Sequence, residues 1–545
     1  MEVTGGVNVL HAGAPETARS RRRDRMFLIL LGAALFLWRA GSHDLWPPDE
    51  PRFGLVAREM WQRGDPVVLS LNQHLYTDKP PLFFWMINLF ACSRGGVDEW
   101  AARLPSVLSG VTALLLVREL GTSLFDARTG LLGAVIFATS LQVFERARWA
   151  SIDMTLTVLV LAAIVCFRRG RIRPESAAGW YRAAWLLMGL ATLAKGPIGI
   201  LLPLLAVLPA ELFEGNWRAG RRVFLPSGML LALAVILAWF VPWAGRLGLD
   251  TVVGVTWHQT AERYVDAWNG RHPVWYYLWQ FPANFVPWVL FLPAALRRAF
   301  APEERPRRGA ALFLTSWFAA IFLFFSFSTG KRGVYILPLY PAASLLVARL
   351  FTAGAPAARR LRAPLAVWAV IAAGLCAGLP ILAARRFPEL RISGALIGSA
   401  LLAGAVGAVI ASRRGRPEGA ALALSASMTA ALLLAVAFVQ PFIDRHENLR
   451  PFAGRVEAAL APDEPFATTE QKREAWVFYT GRFAAPLDTD EAVLGYLARP
   501  GPRTLLIEEA KLAPVRDRIP AGVVELLRDR VAGQEYHLLR RMASP

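Results

Sequence analysis

The chain has 545 residues, of which 55% are hydrophobic and 19% charged, and its formal net charge is +19. This composition is more apolar and less charged than that of a typical soluble domain. Charge is also segregated, because runs such as 229–241 and 420–439 contain no charged residue at all. Such runs exclude an ordinary soluble fold and predict a polytopic membrane protein, since lipid is the solvent that accommodates a helix with no polar face.

The basic excess has two explanations, nucleic-acid binding and anchoring at a membrane surface. Most of the surplus arginines lie immediately beside apolar runs. Arginines at the cytoplasmic ends of spanning helices produce this pattern. The charge therefore favours a membrane protein, and no nucleic-acid partner is expected.

Candidate spanning helices follow one another from residue 26 to residue 440. Each is close to the ~20 residues that a bilayer requires, and together they predict about thirteen transmembrane helices. The predicted spans are 26–41, 103–119, 129–145, 152–168, 180–194, 196–213, 223–244, 275–296, 309–328, 333–350, 362–384, 392–411 and 419–440.

Segment 80–93 is apolar but short. As a helix it reaches only about 21 Å, against a hydrocarbon core of ~30 Å. If it does not cross, every dense arginine cluster except Arg385, Arg386 and Arg391 falls on the cytoplasmic side, as the positive-inside rule expects. We therefore predict a juxtamembrane or re-entrant helix here.

This topology defines three predicted domains. Residues 1–25 form a basic cytoplasmic N-terminus, and residues 26–440 form a transmembrane domain with an extracytoplasmic loop at 42–102. The further loops 146–151, 245–274 and 329–332 also lie outside. Residues 441–545, with mixed charge, a predicted strand at 503–507 and a helical stretch around 521–527, form a small soluble domain. The predicted fold class is all-α polytopic membrane protein with a small C-terminal α/β extracytoplasmic domain.

Ionisable residues gather at the predicted outer face. Either they belong to solvated loops with interfacial aromatics, or they line a site, since functional residues favour such loops. Charges at a membrane edge tend to face a cavity or pair with one another. The residues in question are Asp49, Glu50, Arg52, Arg58, Tyr76, Lys79, Arg146, Arg148, Asp153, Lys195, Lys331 and Tyr335.

If the helix ends converge, these side chains make a cationic pocket that contains isolated carboxylates. Lysine and arginine neutralise phosphate oxygens through charge-assisted hydrogen bonds, so the simplest ligand is a lipid phosphate. A carboxylate opposite the phosphate can act as a general base or stabilise a cationic transition state.

Several motifs then resemble a known family. They are Asp-Glu-Pro-Arg-Phe at 49–53, Ala-Arg-Glu-Met at 57–60, Tyr-Thr-Asp-Lys-Pro-Pro-Leu-Phe-Phe-Trp at 76–85 and Ala-Arg-Leu-Pro-Ser at 102–106. Weaker matches at 148, 153, 193–197, 328–331 and 335–338 extend the resemblance over roughly residues 26 to 350. The chain resembles the C-type (GT-C) polyprenyl-phosphate-sugar-dependent glycosyltransferases. It is most similar to the lipid A aminoarabinose transferases and the protein mannosyltransferase-like bacterial enzymes.

The resemblance implies a bacterial inner-membrane enzyme, an inverting hexosyl- or pentosyltransferase with a periplasmic active site and C-terminus. Its donor would be a sugar on undecaprenyl phosphate or a similar carrier, and its acceptor lipid A, another glycolipid, a polysaccharide or a protein. By analogy the catalytic residues would be Asp49 and Asp153, and the donor phosphate would be bound by Lys79, Arg52, Tyr76, Lys331 and Tyr335. Candidate substrate-binding residues are Glu50, Arg58, Arg148, Lys195 and His258.

The chain departs from the family's pattern at Pro48 and Pro51, which flank the first acidic pair. No cofactor is firmly predicted. A zinc site built from His258, His446 and Glu447 stays open, although their spacing contains no close ligand pair.

Two other functions remain as alternatives. A transporter or flippase of an anionic glycolipid would also need a basic cavity, but it would favour charges at mid-membrane and two repeated halves. The sequence shows neither feature. An inactive scaffold would retain the fold alone.

Overall fold

A computed structural model of the chain describes residues 17–213, 217–259, 264, 270–469 and 473–542. The chain divides into two compact units. We name them the helical unit, which comprises Met1–Trp38, Asp78–Leu82 and Ser106–Ala435, and the sheet unit, which comprises Arg39–Thr77, Phe83–Pro105 and Val436–Pro545.

The helical unit is built from helices joined by short turns. Its α-helices are Ala18–Gly32, most of Glu99–Leu124, Ala127–Ala138, Leu141–Arg148, Ile152–Ile172, Ala177–Lys195, Ile198–Phe213, Trp217–Val223, Pro226–Leu247, Leu249–Trp257, Tyr276–Asn284, Leu292–Ala299, Arg308–Phe327, Tyr340–Thr352, Ala355–Arg386, Arg391–Arg413 and Pro417–Leu434. Wider or tighter helical turns lie at Ala33–Leu37, Pro174–Ser176, Trp288–Phe291, Pro302–Arg307, Gly333–Leu339, Pro388–Leu390 and Ala435–Val439.

The predicted multi-pass membrane architecture is confirmed. Within the described residues, seven helical segments are long and apolar enough to cross a bilayer, or eight if Ala127–Ala138 and Leu141–Arg148, bent by 68°, form one span. The predicted number of about thirteen stays a prediction. Charges at helix ends shorten several apolar stretches, as Asp153 and Arg168 do in the helix Ile152–Ile172.

Glycines bring helices of the helical unit into close contact. A Cβ atom on Gly130 would lie 2.3 Å from the carbonyl oxygen of Arg118, and one on Gly133 would lie 2.5 Å from a methyl carbon of Leu345. Small residues at helix interfaces are expected in lipid, where close backbone packing drives association. The helix Tyr340–Thr352, which packs against Ala127–Ala138, is consequently buried along most of its length.

The apolar segment predicted not to cross contains the helix Leu82–Ala91. Its length of 10 residues corresponds to about 15 Å, half of a hydrocarbon core. Phe83 and Phe84 are buried, and their rings lie 5.8 and 6.0 Å from that of Phe53. Phe83 and Phe84 are thus used for packing within the sheet unit.

The sheet unit contains the helices Asp49–Arg63, Gln440–Glu447, Arg450–Ala459, Arg473–Thr480, Asp490–Ala498 and Glu509–Leu512. A short hairpin pairs Ser70–Leu71 with His74–Leu75. A five-stranded sheet has the order Ala485–Leu487, Phe466–Thr469, Arg503–Glu508, Gln534–Arg541, Val523–Val531. Its first three strands are parallel and the last two pairings are antiparallel.

The strand predicted at 503–507 is confirmed, whereas the helix predicted around 521–527 is wrong. Those residues belong to the strand Val523–Val531. Val531 pairs with Gln534, and Ala532 and Gly533 between them have φ of 51° and 75°. Two consecutive residues with positive φ make the two-residue hairpin turn that matches strand twist, so the tertiary pairing decides the conformation.

The units divide the chain differently from the predicted domains. The boundary at Ala435 and Val436 lies near the predicted one at 440, but residues 39–77 and 83–105 are compact with the C-terminal segment. One physical reason is Asn72, a buried residue whose side chain exchanges two hydrogen bonds, of 2.8 and 3.3 Å, with the backbone of Ala484.

Candidate active site

Three predicted site residues meet in the helical unit. Asp153 lies in the first turn of the helix Ile152–Ile172, and Lys195 is the last residue of the helix Ala177–Lys195. Their side chains form an ion pair, and the Lys195 ammonium lies 4.6 Å from the centroid of the Tyr335 ring. Both charged side chains are largely buried, at 11% and 16% exposure.

The local sequence explains this arrangement. A carboxylate at a helix N-terminus and an ammonium at a C-terminus are each stabilised by the helix dipole. Gly196, with φ of 81°, ends the second helix directly after Lys195, and Pro197 follows. The pair therefore marks the ends of two helices at the same face, and Tyr335 covers it.

Lys331, which is predicted to bind the donor phosphate, contacts main-chain carbonyl oxygens in the structure. Its ammonium donates to the carbonyl oxygens of Ser328 and, at 2.9 Å, His272, and burial lowers its pKa. Its backbone N–H donates to Gly270 at 2.9 Å. Lys331 thus fastens the turn after the helix Arg308–Phe327 to residues 270–272, beside a cleft of about 550 Å³. Tyr277 donates to the next carbonyl, that of Arg332, at 3.1 Å.

Arg148 is buried, and its guanidinium donates hydrogen bonds to main-chain carbonyl oxygens. It donates to the carbonyl oxygens of Leu35 at 2.8 Å and Trp38 at 2.9 Å, where the first helix ends. Carbonyls at a helix C-terminus lack intrahelical partners, so a guanidinium there stabilises the helix end. These contacts support a structural role for Arg148, and its predicted substrate contact stays a prediction.

Glu50 lies one residue after Asp49, at the start of the helix Asp49–Arg63, and is fully buried. Both carboxylate oxygens accept hydrogen bonds of 2.7 Å from Arg103. Burial by itself raises the pKa of Glu50, but the charge and hydrogen bonds of Arg103 outweigh it and hold that pKa below its usual value. Glu50 is thus buried and held by Arg103, and its predicted substrate contact stays a prediction.

Arg103 has all five of its N–H donors engaged. Besides the two bonds to Glu50, it donates to the carbonyl oxygens of Ala40 at 2.7 Å, His43 at 2.9 Å and Asp44 at 2.7 Å. This guanidinium therefore fixes the segment that leads into Asp49. In the sequence, Arg103 belongs to the motif at 102–106, and its position near the start of an apolar span is the only signal for this role.

The other first-loop residues contact the C-terminal part of the sheet unit. Arg52 forms an ion pair with Glu474 at 3.3 Å, and the Arg58 guanidinium lies 3.5 Å from the Phe478 ring centroid. Tyr76 is buried. Arg52 is partly exposed, so its predicted phosphate contact stays a proposal.

Lys79 and His258 belong to the helical unit. The Lys79 ammonium donates to the carbonyl oxygen of Asp78 at 2.9 Å, and Gln259, the neighbour of His258, donates to the Asp78 carboxylate at 3.0 Å. His258 is exposed. Within the part of the chain that the structure describes, no group of three His, Cys, Asp or Glu residues could hold a metal ion.

Residues 78–245 match the family model of dolichyl-phosphate-mannose-protein mannosyltransferases. The match includes Lys79, Arg148, Asp153 and Lys195. Curated relatives include two undecaprenyl phosphate-alpha-4-amino-4-deoxy-L-arabinose arabinosyl transferases. The one from Pectobacterium atrosepticum is 32% identical over 65% of this chain and 64% of its own length. The one from Yersinia enterocolitica is 32% identical over 60% and 58%. The chain thus matches less than two thirds of either relative.

The fold is similar to that of ArnT from Cupriavidus metallidurans. The structure bound to undecaprenyl phosphate gives a TM-score of 0.78 at 23% identity, covering 95% of this chain and 99% of that one. The apo structure gives 0.77 at 22% identity, covering 95% and 98%. The chain therefore shares its overall fold with this protein, and the predicted GT-C-like fold class is confirmed. The predicted resemblance to the polyprenyl-phosphate-sugar-dependent members, and among them to the aminoarabinose transferases, is confirmed.

Proposed function

We propose that the chain is a membrane glycosyltransferase. It moves a sugar from a polyprenyl-phosphate donor to a periplasmic acceptor such as lipid A, another glycolipid, a polysaccharide or a protein. The observation that carries this proposal is the grouping of Asp153, Lys195 and Tyr335 at one face of the helical unit. The activity for which the similar arabinosyl transferases are named supplies the substrate class.

The chemistry follows from charge. When the bond between sugar and phosphate breaks, negative charge grows on the departing phosphate and an oxocarbenium-like centre forms on the sugar. Lys195, whose ammonium is largely desolvated, and the hydroxyl of Tyr335 would stabilise the phosphate, and Asp153 would face the sugar.

The predicted roles of the remaining residues are part of the proposal. Asp49 would be a catalytic carboxylate, and Lys79, Arg52 and Tyr76 would contact donor phosphate. Among the described residues, Lys331 donates from its ammonium to two carbonyl oxygens, and we propose that its third donor contacts a phosphate oxygen.

A periplasmic active site and an inner-membrane location are likewise proposed. The helix Ile152–Ile172 begins with Asp153 and ends with Arg168, Arg169 and Arg171. Clustered arginines favour the cytoplasmic end of a span, so the Asp153 end is expected outside.

The test uses purified full-length protein in sealed proteoliposomes with radiolabelled undecaprenyl phosphate-aminoarabinose as donor and lipid A as acceptor. Transfer of label to lipid A is expected from the wild type and should be lost in Asp49→Asn and Lys79→Ala. Glu418→Gln, which removes an exposed ion pair with Arg128, is the matched control and should retain activity. Movement of the intact donor across the bilayer without transfer would instead favour the flippase alternative.

A further inference from the structure

Helix Asp49–Arg63 packs within the sheet unit against the helix Arg473–Thr480, more than 400 residues later in the chain. The contact is close because residue 54 is glycine. A Cβ atom there would lie 2.7 Å from a methyl carbon of Leu45 and 3.1 Å from the ring of Phe478. The C-terminal helix therefore meets the main chain of the helix that begins at Asp49.

Polar contacts join the same two segments. The hydroxyl of Tyr479 accepts a hydrogen bond of 2.6 Å from the N–H of Leu45 and donates one of 3.1 Å to Glu99. Burial raises the pKa of Tyr479, so its hydroxyl stays protonated at neutral pH. Leu45 is four residues before Asp49, and the N–H of Trp46 is bound by Glu50 at 2.9 Å.

A second set of contacts begins at Asp44. This buried carboxylate accepts hydrogen bonds from the N–H groups of Leu449 at 2.7 Å and Arg450 at 3.1 Å, at the start of the helix Arg450–Ala459. Arg450 also pairs with Glu99. A carboxylate at a helix N-terminus satisfies donors that lack partners inside the helix. Within the segment 44–46, Asp44 is thus hydrogen-bonded to the start of the helix Arg450–Ala459 and Leu45 to Tyr479. Trp46 is hydrogen-bonded to Glu50 in the helix that follows.

We propose that the C-terminal segment of the chain works as a positioning element for the proposed catalytic residue Asp49, with Tyr479 as the principal positioning residue and Glu474 as the residue that orients Arg52. This inference rests on the proposed function of Asp49 and Arg52. The proposal gives the C-terminal domain a part in the transfer reaction, because the helices of this domain position the segment that leads into Asp49.

The physical basis is the sensitivity of transfer reactions to geometry. A displacement of about 1 Å at a reacting group can lower a rate by about 100-fold even when the substituted residue is remote. A residue that acts on the geometry of Asp49 should change kcat. A residue that orients the phosphate-binding Arg52 should change the KM for donor.

The experiment compares Tyr479→Phe with Tyr496→Phe in the full-length protein. Tyr496 is the matched control, because it is also buried and hydrogen-bonds the carbonyls of Pro465 at 2.8 Å and Thr504 at 3.2 Å within the C-terminal sheet. We expect Tyr479→Phe to lower kcat by about 10- to 100-fold with donor KM changed by less than about twofold. Tyr496→Phe should leave kcat within about twofold of wild type, even if it lowers Tm equally. Equal kcat in the two variants overturns the proposal.

A second comparison needs no buried substitution. Glu474→Gln removes the partner of Arg52, whereas the control Asp488→Asn removes an ion pair between Arg473 and Asp488 inside the C-terminal segment. We expect donor KM to rise about tenfold in Glu474→Gln, as loss of one charge-assisted contact implies, and to stay unchanged in Asp488→Asn. Identical KM values overturn the assignment of Glu474. If the wild type itself transfers no sugar, the proposed function fails, which is a separate result.

Discussion

The ammonium of Lys195 is paired with the carboxylate of Asp153, at the ends of two neighbouring helices of the helical unit. Because the pair is largely buried, removal of one partner leaves the other charge uncompensated in a medium of low dielectric constant. A fully exposed pair would contribute little. The ion pair therefore contributes both to stability and to the proposed catalysis.

We predict that Lys195→Met and Asp153→Asn each lower sugar transfer at least about 100-fold, because each removes charge that stabilises the transition state. The double variant should be no less active than either single variant, since residues that act as a unit are not additive. Initial rates with radiolabelled donor measure this. The exposed Arg128–Glu418 pair provides the control through Glu418→Gln. Additive losses would contradict a shared role.

The ion pair between Glu50 and Arg103 predicts a pH dependence of stability. The pKa of Glu50 is lower in the folded protein than in the unfolded chain, so its contribution is complete above the unfolded value of about 4.3 and is lost as pH falls through the folded value. Glu50→Gln leaves Arg103 buried without a carboxylate and should lower the free energy of unfolding by about 3–5 kcal/mol at pH 7.

Thermal unfolding of wild type and Glu50→Gln between pH 3 and pH 8 measures this effect. The difference between the two proteins should be constant above about pH 5 and should shrink below about pH 4. A difference that grows on acidification has the wrong sign for a lowered pKa and would rule out the explanation.

Packing around Gly130 predicts a large effect of one methyl group. Gly130→Ala places a Cβ atom 2.3 Å from the carbonyl oxygen of Arg118 and 2.8 Å from the N–H nitrogen of Thr122, both main-chain atoms that cannot rotate away. The helices must separate, at a cost of about 1–3 kcal/mol. The Tm of the detergent-solubilised protein reports the change.

The control for Gly130 is Gly374, in the helix Ala355–Arg386, where a Cβ atom would meet nothing within 4 Å. Gly374→Ala should leave stability unchanged or raise it by up to about 1 kcal/mol, since alanine favours a helix. Equal loss in both variants would show that contact with Arg118 is not the cause.

The orientation proposed for the helical unit can be measured by cysteine labelling. After replacement of Cys92, Cys166 and Cys376 by serine, Pro197→Cys and Ser176→Cys place single thiols at exposed positions at opposite ends of the helix Ala177–Lys195. A membrane-impermeant maleimide added to spheroplasts should label Pro197→Cys at once and Ser176→Cys only after permeabilisation. The reverse pattern would place Asp153 and Lys195 in the cytoplasm.

Much of the helical unit could be predicted because its signals are local. A run without charge must lie in lipid or in a core whichever other segments surround it, so runs such as 229–241 identified helices directly. The hairpin at Ala532 and Gly533 had no comparable signal, because a strand is stabilised by its partner strand. A stretch rich in valine and leucine could therefore be assigned to the wrong secondary structure.

The site shows the same division. Sequence motifs identified Asp153, Lys195 and Tyr335 as candidates, and they predicted substrate contacts for Glu50 and Arg148. Both residues turned out to be buried, with Glu50 held by Arg103 and Arg148 held by the carbonyls at the end of the first helix. An acid or base at the membrane edge can bind a ligand or fix the chain, and its contacts decide which.

The sequence by itself determined that this protein crosses the membrane many times, that its charges gather at helix ends, and which chemistry its motifs resemble. These properties depend on composition and short-range order, which act through solvation of each segment separately. Only the tertiary structure decided that Lys195 pairs with Asp153, that Arg103 binds Glu50, and that Tyr479 supports the segment before Asp49. Such contacts join residues far apart in the chain, and the distance between them is set by packing that no local pattern records.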